Sequence, residues 1–131
     1  AYDAPPPLFV GISSYRDVRC GRTLLLAVTA AERPDKLSFG VIDQAHPKDE
    51  SCLDNYCRRM REGRFHDPKV TAVWDLAERL AELRKPGDSS EGEGCPFASR
   101  VRQTFVDFRE SQGPCVARAM QQGLIEEEEF C

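Results

Sequence analysis

The stretch Leu8-Phe9-Val10-Gly11-Ile12-Ser13-Ser14-Tyr15-Arg16-Asp17 decides how the rest of the chain is read. Leu8 to Ile12 is a short, β-rich apolar run bounded by polar residues, the pattern of a buried strand. Ser13 to Asp17 reads as a polar turn at its carboxyl end. Upstream, Pro5-Pro6-Pro7 keeps residues 1–7 extended, because each proline restricts the residue before it. Downstream, Cys20 to Ala31 is rich in Leu and Ala and is stopped by Pro34, which predicts a helix. Leu37-Ser38-Phe39-Gly40-Val41-Ile42 is a second apolar run, with Asp43-Gln44 at its end. Strand, helix and strand with short connections form a βαβ unit, so the two strands are parallel. The expected class is α/β, a partial Rossmann-like, mostly parallel sheet flanked by helices.

The remainder extends this pattern. Residues 45–67 are polar, with a short helix expected within Asp49–Arg61. From Pro68 to Arg84, Val70, Val73, Trp74, Ala77, Leu80 and Ala81 fall on one helical stripe, opened by Pro68 and stopped by Pro86-Gly87. Asp88–Gly94 is a Gly, Ser and acidic loop. Arg100–Phe108 is a third strand, with Thr104, Val106 and Phe108 on one face and Val101, Gln103 and Phe105 on the other. Gly113-Pro114 opens a helix that runs to about Gly123, and Glu126–Glu129 reads as a solvated helix end rather than a metal site. There is no internal repeat.

Composition bounds the function. The 131 residues are 40% hydrophobic and 31% charged with net charge −4, which excludes the clustered basic excess of a nucleic-acid binder. Arg58, Arg59, Arg61 and Arg64 are interrupted by Glu62 and read as a solvated helical face. No apolar run approaches the ~20 residues of a membrane span. Residues 1–7 lack the blocks of a signal peptide and an initiator Met, the mark of a processed or trimmed end, so cytoplasm and secretory lumen both stay open. Of the six cysteines, Cys52 and Cys57 are the close pair and the candidate disulfide, with packed thiols as the alternative. His46 and His66 fit no zinc spacing.

Three segments carry candidate chemistry, and each falls at a strand end or helix start, where open parallel sheets bind ligands. Ser14, Tyr15, Arg16 and Asp17 offer a hydroxyl, a ring, a guanidinium and a carboxylate suited to a nucleoside; the competing reading is a helix cap by Asp17 or Ser14. Asp43 can accept from a ribose hydroxyl or a base. Arg109, Gly113 and Arg118 surround a helix N-terminus suited to a diphosphate, with surface Arg–Glu pairing as the alternative. The chain has no phosphate-binding Gly-Lys-Ser loop, no dinucleotide glycine triplet and no Gly-x-Ser-x-Gly elbow.

In order along the chain, residues 8–17, Thr23-Leu24, Arg33-Pro34-Asp35, Phe39-Gly40-Val41-Ile42-Asp43-Gln44, Cys52-Leu53-Asp54-Asn55-Tyr56-Cys57 and Arg109 to Arg118 resemble the polypeptide (hydroxyproline-type) N-acetylglucosaminyltransferases. The resemblance implies a GT-A-type sheet over residues 8–131 and transfer of N-acetylglucosamine from a UDP-sugar to a hydroxyl of a protein acceptor. It places Ser14, Tyr15, Arg16 and Asp17 near the uridine, and Arg109, Gly113 and Arg118 near the ribose or diphosphate. It also implies a divalent cation, Mn or Mg, for the intact family domain. Its aspartate-and-histidine metal motif follows the segment resembling Gln121–Cys131, so no metal ligand and no independent transfer activity are expected of this stretch alone. Pro68–Arg84 reads as an enlarged insertion. The competing classes are a non-catalytic subunit that docks on a partner protein, and a small disulfide-stabilised binding module.

Overall fold

A computed structural model describes residues 8–83, 95–111, 113–125 and 129–130. The chain runs β1 (Leu8–Tyr15), α1 (Cys20–Ala30), β2 (Leu37–Ala45), α2 (Cys52–Gly63), α3 (Pro68–Glu82), β3 (Val101–Asp107), α4 (Pro114–Gln122) and β4 (Glu129–Phe130). All strand pairs are parallel and the order is β3-β2-β1-β4. The α/β class expected from the sequence is the one observed. The extended segment expected at 1–7, the loop at 88–94 and most of the acidic run at 126–129 lie outside the described residues. Glu129, expected at a helix end, opens β4 instead.

The strand order divides the helices between two faces. From β1 to β2 to β3 the chain steps in one direction, so right-handed crossovers place α1, α2 and α3 on one face of the sheet. From β3 it returns past β2 and β1 to β4, which places α4 on the other. The contacts follow this division. Val10, Ile12, Phe39, Val41 and Val101 pack under Leu24, Val28, Tyr56, Met60, Val70, Val73 and Trp74. Gly11 and Gly40, alternating with those residues, face Gln121 and Leu124 at the end of α4. The central strand β2 is buried from Ser38 to Ala45, as a strand covered on both faces requires. Each large apolar side chain removed from water in this core contributes about 1.5–3 kcal/mol.

Local chemistry sets the helix ends. The Ser51 side chain accepts from the Asp54 N–H and starts α2; Asp67 accepts from the Lys69 N–H, and Pro68 follows it at the first position of α3. At the turn between these helices, the Arg64 guanidinium lies over Trp74 at 4.2 Å and pairs with Glu78 at 2.8 Å. On the arginine-rich face of α2, Arg58 is bonded to both Glu50 and Glu62, and Arg59 donates to the Asn55 side-chain carbonyl. This face is a solvated ion-pair surface.

Two expectations are corrected. Ser13, Ser14 and Tyr15 are not a turn: they pair with Ile42, Asp43 and Gln44 and lengthen β1. A parallel partner satisfies the backbone of polar residues as well as apolar ones, so the strand runs as far as its neighbour does. Cys52 and Cys57 are not bridged to each other. Cys20 is bonded to Cys52 and Cys57 to Cys95. Five positions along a helix separate two residues by about 140° and about 7.5 Å of rise, beyond the reach of one disulfide. Cys115 is exposed and the free cysteine among the described residues.

Candidate functional site at the carboxyl rim of the sheet

The carboxyl ends of β1, β2 and β3 meet on one rim, and residues from 15 to 111 converge there. Tyr15 is the last residue of β1. Arg16 follows with φ of 46°, a left-handed conformation uncommon outside glycine. Its backbone N–H donates to the Gln44 carbonyl at 2.7 Å, so the sheet itself holds this turn. The guanidinium then reaches across to Asp49, with Nε at 3.0 Å from Oδ2 and Nη2 at 3.2 Å from Oδ1. This two-pronged bond raises the Arg16 pKa and lowers that of Asp49, which also accepts from the His46 N–H. The same guanidinium lies over the Phe108 ring at 4.7 Å, while Tyr15 meets that ring edge-on at 6.4 Å and His46 lies beside it at 6.1 Å. Phe108 thus joins β1, the segment after β2 and the end of β3.

Beside this stack is a cavity of about 410 Å³ lined by Arg16, Asp17, Val18, Cys20, Gly21, Asp43, Ala45, Asp49, Glu50, Cys52 and Asn55. Its walls are the first turns of α1 and α2, and the end of β2 lies between them. Asp43, 4% exposed, accepts from the Cys52 N–H at 2.9 Å. Burial raises its pKa against the opposing effect of that hydrogen bond, and nearby Asp49 raises it further. Asp17 accepts from the Arg19 N–H at 2.9 Å and from the Arg19 guanidinium, which together lower its pKa. Asp17 therefore also serves the start of α1. Ser14 pairs with Asp43 in the sheet, is buried, and has no hydrogen-bond partner for its hydroxyl among the described residues. Four carboxylates and one guanidinium line the cavity. Asp17, Asp49 and Glu50 are each ion-paired, with Arg19, Arg16 and Arg58, and Asp43 is held by the Cys52 N–H, so the lining offers hydrogen-bond acceptors rather than a bare negative field.

The remaining expected residues stand apart from this cavity. Arg109 is bonded to Asp107, Nε to Oδ1 at 2.9 Å and Nη2 to Oδ2 at 2.6 Å, which raises its pKa and holds the Asp107 carboxyl far below the usual range. Gly113 has φ of 95°, which favours glycine, and precedes α4 directly. Arg118 is exposed on α4. The two groups are linked by Gln44, whose side chain donates to the Ser14 carbonyl at 3.4 Å and accepts from the Ser111 hydroxyl.

Asp49, Phe108 and Gln44 are central here, yet they were absent from the candidate site residues. Gln44 carried a signal, since it ends β2 beside Asp43. Asp49 carried none, because nothing in the sequence relates it to Arg16, 33 positions earlier. Among the described residues no three His, Cys, Asp or Glu side chains converge as metal ligands. No helix among them is long and apolar enough to cross a membrane.

An open parallel sheet, wound in both directions from β1 with a polar rim at its carboxyl ends, defines an α/β domain. The family model described as Glycosyltransferase (GlcNAc) matches residues 7–131, and the chain belongs to that family. No curated protein and no solved structure gives a significant match.

Proposed function

We propose that the carboxyl rim binds the nucleotide of a UDP-sugar, and that the domain serves transfer of N-acetylglucosamine to a protein hydroxyl, hydroxyproline being the acceptor implied by the resemblance. The observation that carries this reading is the carboxylate-lined cavity beside the Arg16–Phe108–Tyr15 stack, in a domain of the Glycosyltransferase (GlcNAc) family. A nucleoside offers what this rim accepts: a planar base for the rings of the stack beside the cavity, and an imide N–H and ribose hydroxyls for Asp43 and Asp17 in the cavity. The unpartnered Ser14 hydroxyl lies in the sheet beside Asp43.

Among the described residues the cavity offers acceptors and no free cation for a diphosphate, which is directed to the α4 side. There the unpaired N–H groups of the first helical turn and Arg118 supply positive potential, with Arg109 reaching it only if Asp107 releases its guanidinium. The divalent cation that the resemblance implies would stabilise the leaving diphosphate when bound.

Calorimetric titration with UDP and UDP-N-acetylglucosamine tests the reading. Binding is expected, weakened about tenfold or more by Arg16→Ala and less by Arg118→Ala. Absence of binding by the unmodified chain, with both variants silent, would replace it with the interaction-subunit reading. With a hydroxyproline peptide, Mn²⁺ and the sugar donor, no glycosylated product mass is expected of this stretch alone, and clear turnover would overturn that expectation.

A further inference from the structure

Cys20 is the first residue of α1 and Cys52 the first residue of α2, and both line the rim cavity. Their disulfide, with Cα atoms 5.3 Å apart, is the covalent tie between the two helix starts that form the cavity walls. The helices are also in steric contact there: a Cβ built on Gly21 would lie against the Asn55 side chain and 2.6 Å from the Tyr56 backbone nitrogen. The two starts are held unequally. The α2 start is capped by the Ser51 side chain, and its Cys52 N–H is bound by Asp43. The α1 start has no side-chain cap at its N-cap residue Arg19; Asp17 accepts from the Arg19 N–H, and the bridge is its covalent anchor to the cavity.

The second bridge, Cys57–Cys95, ties a later turn of α2 to the segment before β3, and neither of its cysteines lines the cavity. The fold therefore contains an internal control: two disulfides on one helix, of which one shapes the cavity wall.

We propose that Cys20 and Cys52 are a positioning pair for the nucleotide cavity, and that affinity for a nucleoside diphosphate depends on their bridge being closed. This rests on the nucleotide reading above. Opening the bridge with a dithiol transfers two electrons and two protons to the cysteines, leaving two thiols, while the dithiol becomes a disulfide. Linkage requires the converse: if the closed bridge favours the nucleotide, bound nucleotide favours the closed bridge.

The test is calorimetric titration of UDP into the oxidised chain, the Cys20→Ser/Cys52→Ser variant and the Cys57→Ser/Cys95→Ser variant. The first variant is expected to weaken UDP binding about fivefold or more, and the second to change it less than about twofold. Equal loss in both, or no loss in the first, overturns the proposal. Should the oxidised chain itself not bind UDP, the nucleotide reading fails and this inference falls with it. Binding by the oxidised chain with unchanged affinity in the first variant removes this inference alone.

A second measurement does not depend on how the variants fold. The unmodified chain is exposed to dithiothreitol with and without saturating UDP, and the opened cysteines are alkylated and located by peptide mass. At redox equilibrium with dithiothreitol and its oxidised form, UDP is expected to lower the open-to-closed ratio of Cys20–Cys52 severalfold and leave that of Cys57–Cys95 unchanged. Equal protection of both bridges, or of neither, overturns the proposal.

Discussion

The Arg16 guanidinium is held in a two-pronged ion pair by Asp49, at 3.0 and 3.2 Å, while its face rests on Phe108. One charged group is thus fixed by two segments far from it in sequence. Both partners are substantially solvent-exposed, so the pair contributes little to folding. Its effect is on where the guanidinium points.

Asp49→Ala is therefore expected to leave the melting temperature nearly unchanged and to weaken UDP binding severalfold, by releasing Arg16 from its place beside the cavity. Calorimetry and thermal melting, run on the same samples, separate the two effects. Unchanged affinity would show that the ion pair has no part in ligand binding.

Gly21→Ala is expected to destabilise the chain by about 1–3 kcal/mol, since overpacked contacts force neighbouring groups apart. The added Cβ meets backbone at Tyr56 N, 2.6 Å away, and cannot be relieved by turning a side chain alone. Denaturant unfolding measures this. A loss well under 1 kcal/mol would mean that α1 and α2 can separate cheaply.

Tyr56 is fully buried and donates to the Pro96 carbonyl at 2.7 Å, and burial pushes its pKa well above the usual tyrosine value. Tyr56→Phe removes the donor and leaves a buried carbonyl unpaired, at a cost of about 1–3 kcal/mol. The same unfolding measurement checks it, with the UDP affinity expected to stay near that of the parent.

Asp43 supplies a pH test. Its pKa is raised by burial, so between the unfolded and the folded pKa the folded chain binds more proton there than the unfolded chain does. Its contribution to stability is most favourable below the unfolded carboxylate pKa and is lost as pH rises through the higher folded value. Asp43→Asn keeps an oxygen for the Cys52 N–H and removes the buried charge. The variant is expected to melt above the parent at pH 7, with the difference shrinking as pH falls below the ordinary carboxylate range. A difference that is constant with pH, or that grows on acidification, would contradict the assigned cause.

Alkylation without reduction is expected to label Cys115 and to spare Cys20, Cys52, Cys57 and Cys95. Peptide mass spectrometry reads this directly. Labelling of Cys52 or Cys57 in the folded chain would show that the bridges are open under the conditions of isolation.

Much of the fold is local in origin and was legible as such. Leu8–Ile12 and Leu37–Ile42 are apolar runs too short for helices, and the helix between them imposes a parallel pairing. The stripe through Val70, Val73 and Trp74 placed α3 correctly, because a 3.6-residue period is a property of neighbouring residues. The length of β1 was not legible: Ser13, Ser14 and Tyr15 have polar or turn-like character, and only the backbone of β2 makes them strand.

The site divides in the same way. Its rim could be located from the sequence, since parallel strands must end together and their polar ends lie together. The choice of partners could not. Arg16 with Asp49, Phe108 with Tyr15, and Cys20 with Cys52 are joined across helices and strands whose relative placement is fixed by core packing. Sequence alone determined the elements and the edge at which they present polar groups. The tertiary structure decided which of those groups touch, because contact across α1, α2 and β3 depends on how buried side chains such as Leu24, Tyr56 and Phe39 fill one core.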